Sequence, residues 1–204
     1  MYNHLSNDPV SRANISYSWT YWDNAFTENE LNHIVSYCEQ FDKSFATTFG
    51  SKDEEETRKH RVSDIHFFER NNETSWIFER INHIIEQMNE TYYNFDLNGY
   101  KSFQYTTYDA TKEGRYDWHT DLGFDMDHGE SSMVRKLSMT LCLNDDYEGG
   151  EFYINKGKQE EPQLCQSKKG RAILFPSFTI HRVAPVTKGI RRSIVVWVVG
   201  PKFR

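Results

Sequence analysis

The sequence predicts a mainly β protein of the α+β class, and three observations point there. Two stretches of the first half carry apolar residues at helical spacing. From Phe103 onward the pattern becomes short β segments divided by Gly, Asp, Asn and Pro. Aromatic residues make up 15% of the chain, which suits pleated surfaces and clefts walled by flat side chains. A helical half followed by an all-β half fits a sandwich, barrel or jelly roll, whose two sheets can enclose a pocket. The 204 residues read as one domain, with a support region over 1–99 and the β region over 100–201, large enough to bury a core without disulfides or structural metal.

In chain order, residues 1–14 are polar, and Ile15 to Phe26, with Tyr17, Trp19, Tyr21 and Trp22, alternates as a strand would. Thr27 and Glu30 form a capping-box signature, and Leu31, Ile34, Val35 and Cys38 then recur at helical spacing, which predicts a helix over 28–41. Periodicity is lost between Phe45 and His66. The mixed-charge run from Lys52 to Arg61 reads as a solvated loop, with a mobile lid over a cleft as the functional alternative. Val62 to Phe68 reads as a short strand. Ile77, Ile81, Ile84, Ile85 and Met88 share one helical face, so a second helix spans 75–90 and packs on a sheet. Strands follow at 102–108, 115–121, 134–143, 150–154, 171–175, 180–185 and 191–199, with no internal repeat or low-complexity tract.

The totals exclude several classes. A net charge of -6 and a pI near 5.8 weigh against nucleic acid and anionic membranes as partners, since both call for basic patches. Cys38, Cys142 and Cys165 cannot all pair and form no C-x-x-C motif, which points to a reducing, cytoplasmic setting rather than a disulfide framework or zinc ribbon. The first residues lack a basic segment followed by an apolar run, and no stretch approaches the roughly 18 apolar residues of a membrane span, so an unexported protein is expected. No feature of the sequence fixes an oligomeric state.

The chemistry lies in two separated pieces. Alternate strand residues share a face, so His119 and Asp121 can converge on one ion; alone, such a tripeptide more often marks an ordinary histidine. His181 follows the apolar run Ala172 to Pro176 and precedes Val183, so it sits in a buried β region and needs a partner. It is either a hydrogen-bonded core histidine or a third ligand. In the second case two imidazoles and one carboxylate occupy one face of a metal, the arrangement of non-haem Fe(II) sites with open positions. Arg191 and Ser193 also share a strand face, continued by Val195 and Trp197. An inward arginine there calls for an anion, either a structural carboxylate such as Glu151 or a bound dicarboxylic acid gripped bidentately.

These residues carry a family resemblance. His119-x-Asp121, Leu143-Asn144 with Gly149-Gly150-Glu151-Phe152, Gly170 to Pro176, His181-x-Val183-x-Pro185-Val186-Thr187-x-Gly189-x-Arg191-x-Ser193 and Trp197 together resemble the Fe(II)/2-oxoglutarate-dependent dioxygenases, nearest the prolyl 4-hydroxylase and PKHD-type hydroxylase branches. The resemblance covers about residues 100–201. It implies a double-stranded β-helix, a jelly-roll variant with N-terminal helices buttressing one sheet. It further implies Fe(II) held by His119, Asp121 and His181, and 2-oxoglutarate held by Arg191 and Ser193, with Tyr108 as a further co-substrate contact. O2 and ascorbate would complete the chemistry, with succinate and CO2 as co-products of hydroxylation. Cys142 stands where many relatives carry a second co-substrate tyrosine. Asp121 favours hydroxylation over halogenation, because the resembling halogenases have a small residue there.

A zinc hydrolase is the rival enzyme, and a catalytically silent jelly-roll binding module the rival from another class. By resemblance the prime substrate is a peptidyl proline or another amino-acid side chain, with small molecules as the alternative, contacted by the 45–66 loop and aromatic residues near 105–118. Asp125-x-Asp127-x-Gly129 reads as a solvated turn rather than a calcium loop. His33, His60, His66, His83 and His128 read as structural or exposed.

Overall fold

The computed structural model describes residues 17–48, 53–123, 133–155 and 161–202. Three α-helices, α1 (Glu28–Cys38), α2 (Glu54–His60) and α3 (Ser75–Met88), precede most of the strands. The first strands are β1 (Thr20–Trp22), β2 (Ser44–Phe45), β3 (Arg61–Val62), β4 (Asp64–Phe68), β5 (Phe103–Asp109), β6 (Arg115–His119) and β7 (Met133–Cys142). The rest are β8 (Glu148–Gly149), β9 (Phe152–Asn155), β10 (Gln163–Cys165), β11 (Ala172–Pro176), β12 (Ile180–Val183), β13 (Val186–Lys188) and β14 (Ile190–Pro201). They build a seven-stranded sheet in the order β1-β11-β7-β14-β5-β4-β2 and a five-stranded sheet in the order β10-β9-β12-β6-β3, with β13 and β8 as a separate pair.

Strand parity divides the large sheet between two environments. On β14, Ile194, Val196 and Val198 join a core cluster with Leu31, Ile34 and Cys38 of α1 and Ile77, Ile81 and Ile84 of α3. The alternate residues, Arg191, Ser193, Val195 and Trp197, face a pocket instead. β5 divides the same way, with Phe103 and Tyr105 toward the helices and Gln104 and Tyr108 toward the pocket. A second cluster bridges the two sheets through Ile173 and Phe175 of β11 and Phe152, Ile154 and Val183 of the small sheet.

The helices form for the predicted reasons. Thr27 Oγ1 accepts the Glu30 N–H while Glu30 Oε2 accepts the Thr27 N–H at 2.7 Å, a complete capping box. α3 buries Ile77, Phe78, Ile81, Ile84, Ile85 and Met88, and a single π-turn at Asn89–Tyr93 ends it.

Three expectations need correction. The strand expected over 15–26 spans only Thr20–Trp22, because Asn24 takes a left-handed conformation (φ 53°) that turns Ala25 and Phe26 into the core; Ile15 lies outside the described residues. The mixed-charge run is not a loop across its length, because residues 54–60 form α2. Asp53 caps that helix by accepting the Glu56 N–H at 2.8 Å, acidic residues fill its first turn and basic ones its last, and Arg58 reaches Glu54 at i−4. The strand expected over 150–154 starts at Phe152, since Gly149 and Gly150 both hold positive φ. All three cysteines are free and buried, and among the described residues no helix is long and apolar enough to cross a membrane. Asp125, Asp127, His128 and Gly129 lie outside the described residues.

Candidate metal centre

β12 runs antiparallel to β6 with His181 directly opposite His119, so both imidazoles project from one face with ring centroids 4.1 Å apart. Each ring is oriented by a carbonyl two residues earlier: His119 Nδ1 lies 2.7 Å from Asp117 O and His181 Nδ1 lies 2.8 Å from Thr179 O. A carbonyl only accepts, so Nδ1 carries the proton in both rings and each Nε2 keeps its lone pair. Tyr116 stacks on His119 at 3.5 Å, and Phe175 packs against His181 at 4.6 Å.

Asp121 completes the set, although not through strand parity, because β6 ends at His119. The Asp121 N–H instead donates to Ser177 O at 2.9 Å, and its carboxylate accepts from the Ser138 hydroxyl, which also pairs with Ser177 Oγ at 2.9 Å. Asp121 Oδ1 then lies 3.7 Å from His119 Nε2, and Oδ2 lies 3.5 Å from His181 Nε2. These separations exceed hydrogen-bond length but suit atoms that each reach one ion at roughly 2.0–2.2 Å. The three donor atoms lie within 4.8 Å of one another. Burial and then the facing His181 push His119 down to about 3, so the ring stays neutral near pH 7 and free to ligate. Burial alone would raise the Asp121 carboxyl, but His181, His119 and Ser138 outweigh it and hold the group below its usual range.

The triad opens into a pocket lined by both sheets. Arg191 lies in its wall at 1% exposure, donating through Nη1 to Ser193 Oγ at 3.2 Å, with its guanidinium 5.5 Å from the Tyr108 ring. Its Nε has no partner, and no carboxylate pairs with it among the described residues. Glu151, the structural anion considered from sequence, is exposed and makes no such pair. Gly150 makes room for this arginine: at φ +66° an added Cβ would sit 3.0 Å from Arg191 Cδ and 2.9 Å from Val186 Cγ2.

The pocket thus gathers His119, Asp121, His181, Tyr108, Arg191 and Ser193, the six residues singled out in the sequence. Two others were missed. Tyr147, from the turn before Gly149, hydrogen bonds to Arg191 and lies 3.7 Å from the Cys142 thiol. Arg61, at 6% exposure, lines the pocket with its guanidinium 4.6 Å from the Tyr116 ring. The Gly-Gly turn was a usable signal for Tyr147, whereas Arg61 looked like one more charge in a charged run. His33, His66 and His83 lie against Trp76, Phe41 and Trp22, and His60 approaches Asp117, so none of them belongs to the cluster.

Residues 103–199 match the family model described as the 2OG-Fe(II) oxygenase superfamily. A PKHD-type hydroxylase of Synechococcus sp. (strain CC9311) is 42% identical over 89 residues, 43% of this chain, and one of Alteromonas mediterranea is 38% identical over 86 residues. The matched stretch spans 37% of the length of each of these curated relatives. Among solved structures, a prolyl hydroxylase from Trichoplax adhaerens in complex with a hypoxia inducible factor peptide fragment superposes with a TM-score of 0.73 at 16% identity, covering 96% of this chain and 89% of that one. A Pseudomonas putida prolyl-4-hydroxylase gives 0.70 at 15% identity, covering 92% and 95%. At such identities the likeness is one of fold, a mainly β jelly roll with few helices. The β half, which carries His119, Asp121, His181 and Arg191, is therefore similar in sequence to the 2OG-Fe(II) oxygenase superfamily and, within it, to PKHD-type hydroxylases, and the chain is similar in fold to prolyl hydroxylases.

Proposed function

We propose that the protein is an Fe(II)- and 2-oxoglutarate-dependent dioxygenase that hydroxylates a C–H bond of an amino-acid side chain, prolyl or other, in a peptide or small-molecule substrate, releasing succinate and CO2. The observation that carries this is the conjunction, in one pocket, of a facial imidazole, imidazole and carboxylate set with a buried arginine that has no carboxylate partner. His119, Asp121 and His181 fit a ferrous ion by donor type, by the free Nε2 lone pairs and by spacing. When bound, the ion and its co-substrate supply the activation of O2, with ascorbate as auxiliary reductant.

The chain's own residues bind, orient and exclude water. Arg191 takes the distal carboxylate of 2-oxoglutarate with the Ser193 hydroxyl beside it, and Tyr108 walls the same end. Tyr147 brings a hydroxyl to the place where the resembling enzymes use a tyrosine at the Cys142 position. The carbonyls of Asp117 and Thr179 hold the imidazoles in the ligating tautomer, and the apolar walls from Phe152, Phe175 and Val183 keep the cleft dry. Residues 1–204 act as one domain in which the helices of 1–99 buttress the large sheet that carries Arg191, consistent with their shared core cluster, while 100–201 does the chemistry. The cytoplasm is the expected setting.

A zinc hydrolase has no use for Arg191 and Ser193 beside its metal, and a silent module has no reason to keep both sets. The test is anaerobic addition of Fe(II) and then 2-oxoglutarate, which should give a weak metal-to-ligand charge-transfer band in the visible. Absence of the band, with zinc-dependent hydrolysis in its place, would overturn the proposal. Succinate release screened over proline-containing peptides, free amino acids and nucleic acids then separates the substrate classes.

A further inference from the structure

The pocket holds a second buried cation besides Arg191. Arg61 is 6% exposed, yet no carboxylate pairs with it among the described residues. Its Nε donates to Ser63 Oγ at 2.8 Å, its Nη1 reaches Thr47 O only at 3.5 Å, and no hydrogen bond engages its Nη2 among the described residues. A guanidinium taken out of water in this state is costly unless an anion arrives. β3 pairs with β6 so that Arg61 lies opposite Tyr116, and its guanidinium rests 4.6 Å from the Tyr116 ring. Tyr116 in turn stacks on His119 at 3.5 Å. The order is therefore guanidinium, phenol ring, imidazole ligand, all in the wall of one pocket.

We propose that Arg61 is the receptor for a carboxylate on the prime substrate, so that the enzyme acts on an amino-acid unit bearing a free carboxylate. That unit is a free amino acid, a C-terminal residue or an Asp or Glu side chain, rather than an internal residue of a neutral peptide. The inference rests on the dioxygenase reading, in which Arg191 and the metal together take both ends of 2-oxoglutarate and leave Arg61 to the other molecule. The guanidinium fork suits a planar carboxylate. Because only the Tyr116 ring separates Arg61 from His119, the anchored carboxylate lies within a few bonds of the carbon that is oxidised.

The test measures binding to the full-length protein loaded anaerobically with Fe(II) and 2-oxoglutarate. The titrants are matched acid and amide pairs: L-proline and L-prolinamide, a proline-terminated peptide as acid and as amide, and capped peptides with Asp or Glu against Asn or Gln. At least one acid should bind more tightly than its amide by about thirtyfold or more, the scale of a buried charge pair. The pair that discriminates identifies the source of the carboxylate. Arg61→Gln should collapse that ratio toward one, and Arg61→Lys should keep part of it. A merely structural arginine would leave the ratio unchanged. Wild-type protein that binds no acid more tightly than its amide would overturn the inference, and this outcome does not depend on the variants folding. A loss of 2-oxoglutarate affinity in Arg61→Gln would also overturn it, by assigning Arg61 to the co-substrate. Failure of the dioxygenase reading itself is visible separately, as a wild type that shows no charge-transfer band.

Discussion

Replacing Arg191 separates a ligand-binding arginine from a structural one, because the two make opposite predictions for stability. Arg191 is 1% exposed, its guanidinium meets only the neutral hydroxyls of Ser193 and Tyr147, its Nε is unsatisfied, and no described carboxylate offsets the charge. Arg191→Met should therefore leave the ligand-free protein as stable as wild type or more so, since an apolar side chain of similar volume relieves the buried charge. The same variant should lose roughly 2–5 kcal/mol of 2-oxoglutarate binding, or about 30-fold to a few thousandfold in Kd, because the carboxylate would then enter a site without its charge-assisted fork. Anaerobic titration of Fe(II)-loaded protein, followed at the charge-transfer band, reads the affinity, and urea denaturation of the ligand-free protein reads the stability. A variant that is clearly destabilised yet binds 2-oxoglutarate normally would refute the reasoning and make Arg191 part of the scaffold.

Asp121→Asn should weaken Fe(II) binding by more than the 10–100-fold typical of changes to groups behind a metal ligand, measured by anaerobic calorimetry; an unchanged affinity would exclude Asp121 from the metal. Gly150→Ala should lower 2-oxoglutarate affinity without touching the metal ligands, because the new Cβ would meet Arg191 Cδ at 3.0 Å in a backbone held at φ +66°, and the strain itself costs about 1–3 kcal/mol. For pH, His119 is pushed down to about 3, below its unfolded value near 6.5, so between those values the unfolded chain binds the extra proton. Stability of the metal-free protein therefore falls as pH drops through that window, by about 2 kcal/mol from pH 6.5 to 5, and His119→Gln should flatten that slope in denaturant titrations at the two pH values.

Sequence and structure agree where local physics decides. Thr27 and Glu30 satisfy each other's backbone donors whatever surrounds them, and the isoleucines of α3 need only an apolar neighbour, so both helices were legible from spacing. α2 was not. Only Thr57 of it is buried, and it is held by its Asp53 cap, its dipole-matched charges and the Glu54–Arg58 pair, none of which leaves an apolar period to read. Further, Arg115 Nη2 donates to the carbonyl of Arg58 near the end of that helix at 3.1 Å, a contact across 57 positions that no local pattern announces.

The candidate site divides along the same line. His181, Arg191 and Ser193 were legible because a polar residue at an inward position of an apolar strand is costly without a partner, and strand parity says which residues point inward. Asp121 reaches the two imidazoles by a route that strand parity does not describe: a hydrogen bond to Ser177, more than fifty positions away, aims it after the strand has ended. Arg61 escaped altogether because it closes the charged run that begins at Lys52, so nothing in the sequence marks it, among the cations there, as the one that faces inward. What singles it out is β3 lying against β6, which places it over Tyr116 and above His119. The two pocket arginines thus differ in how they are positioned. Arg191 sits in the twelve-residue strand β14, whose other face is packed against α1 and α3, whereas Arg61 sits in the two-residue strand β3 at the edge of the small sheet, directly after a helix held mainly by surface charge. Raising salt weakens that helix far more than the core behind β14. Affinity for the prime substrate should therefore fall with ionic strength more steeply than can be accounted for by screening of a single carboxylate. Affinity for 2-oxoglutarate, titrated in the same buffers, should change little, and equal salt dependence of the two would mean that both arginines are held equally firmly.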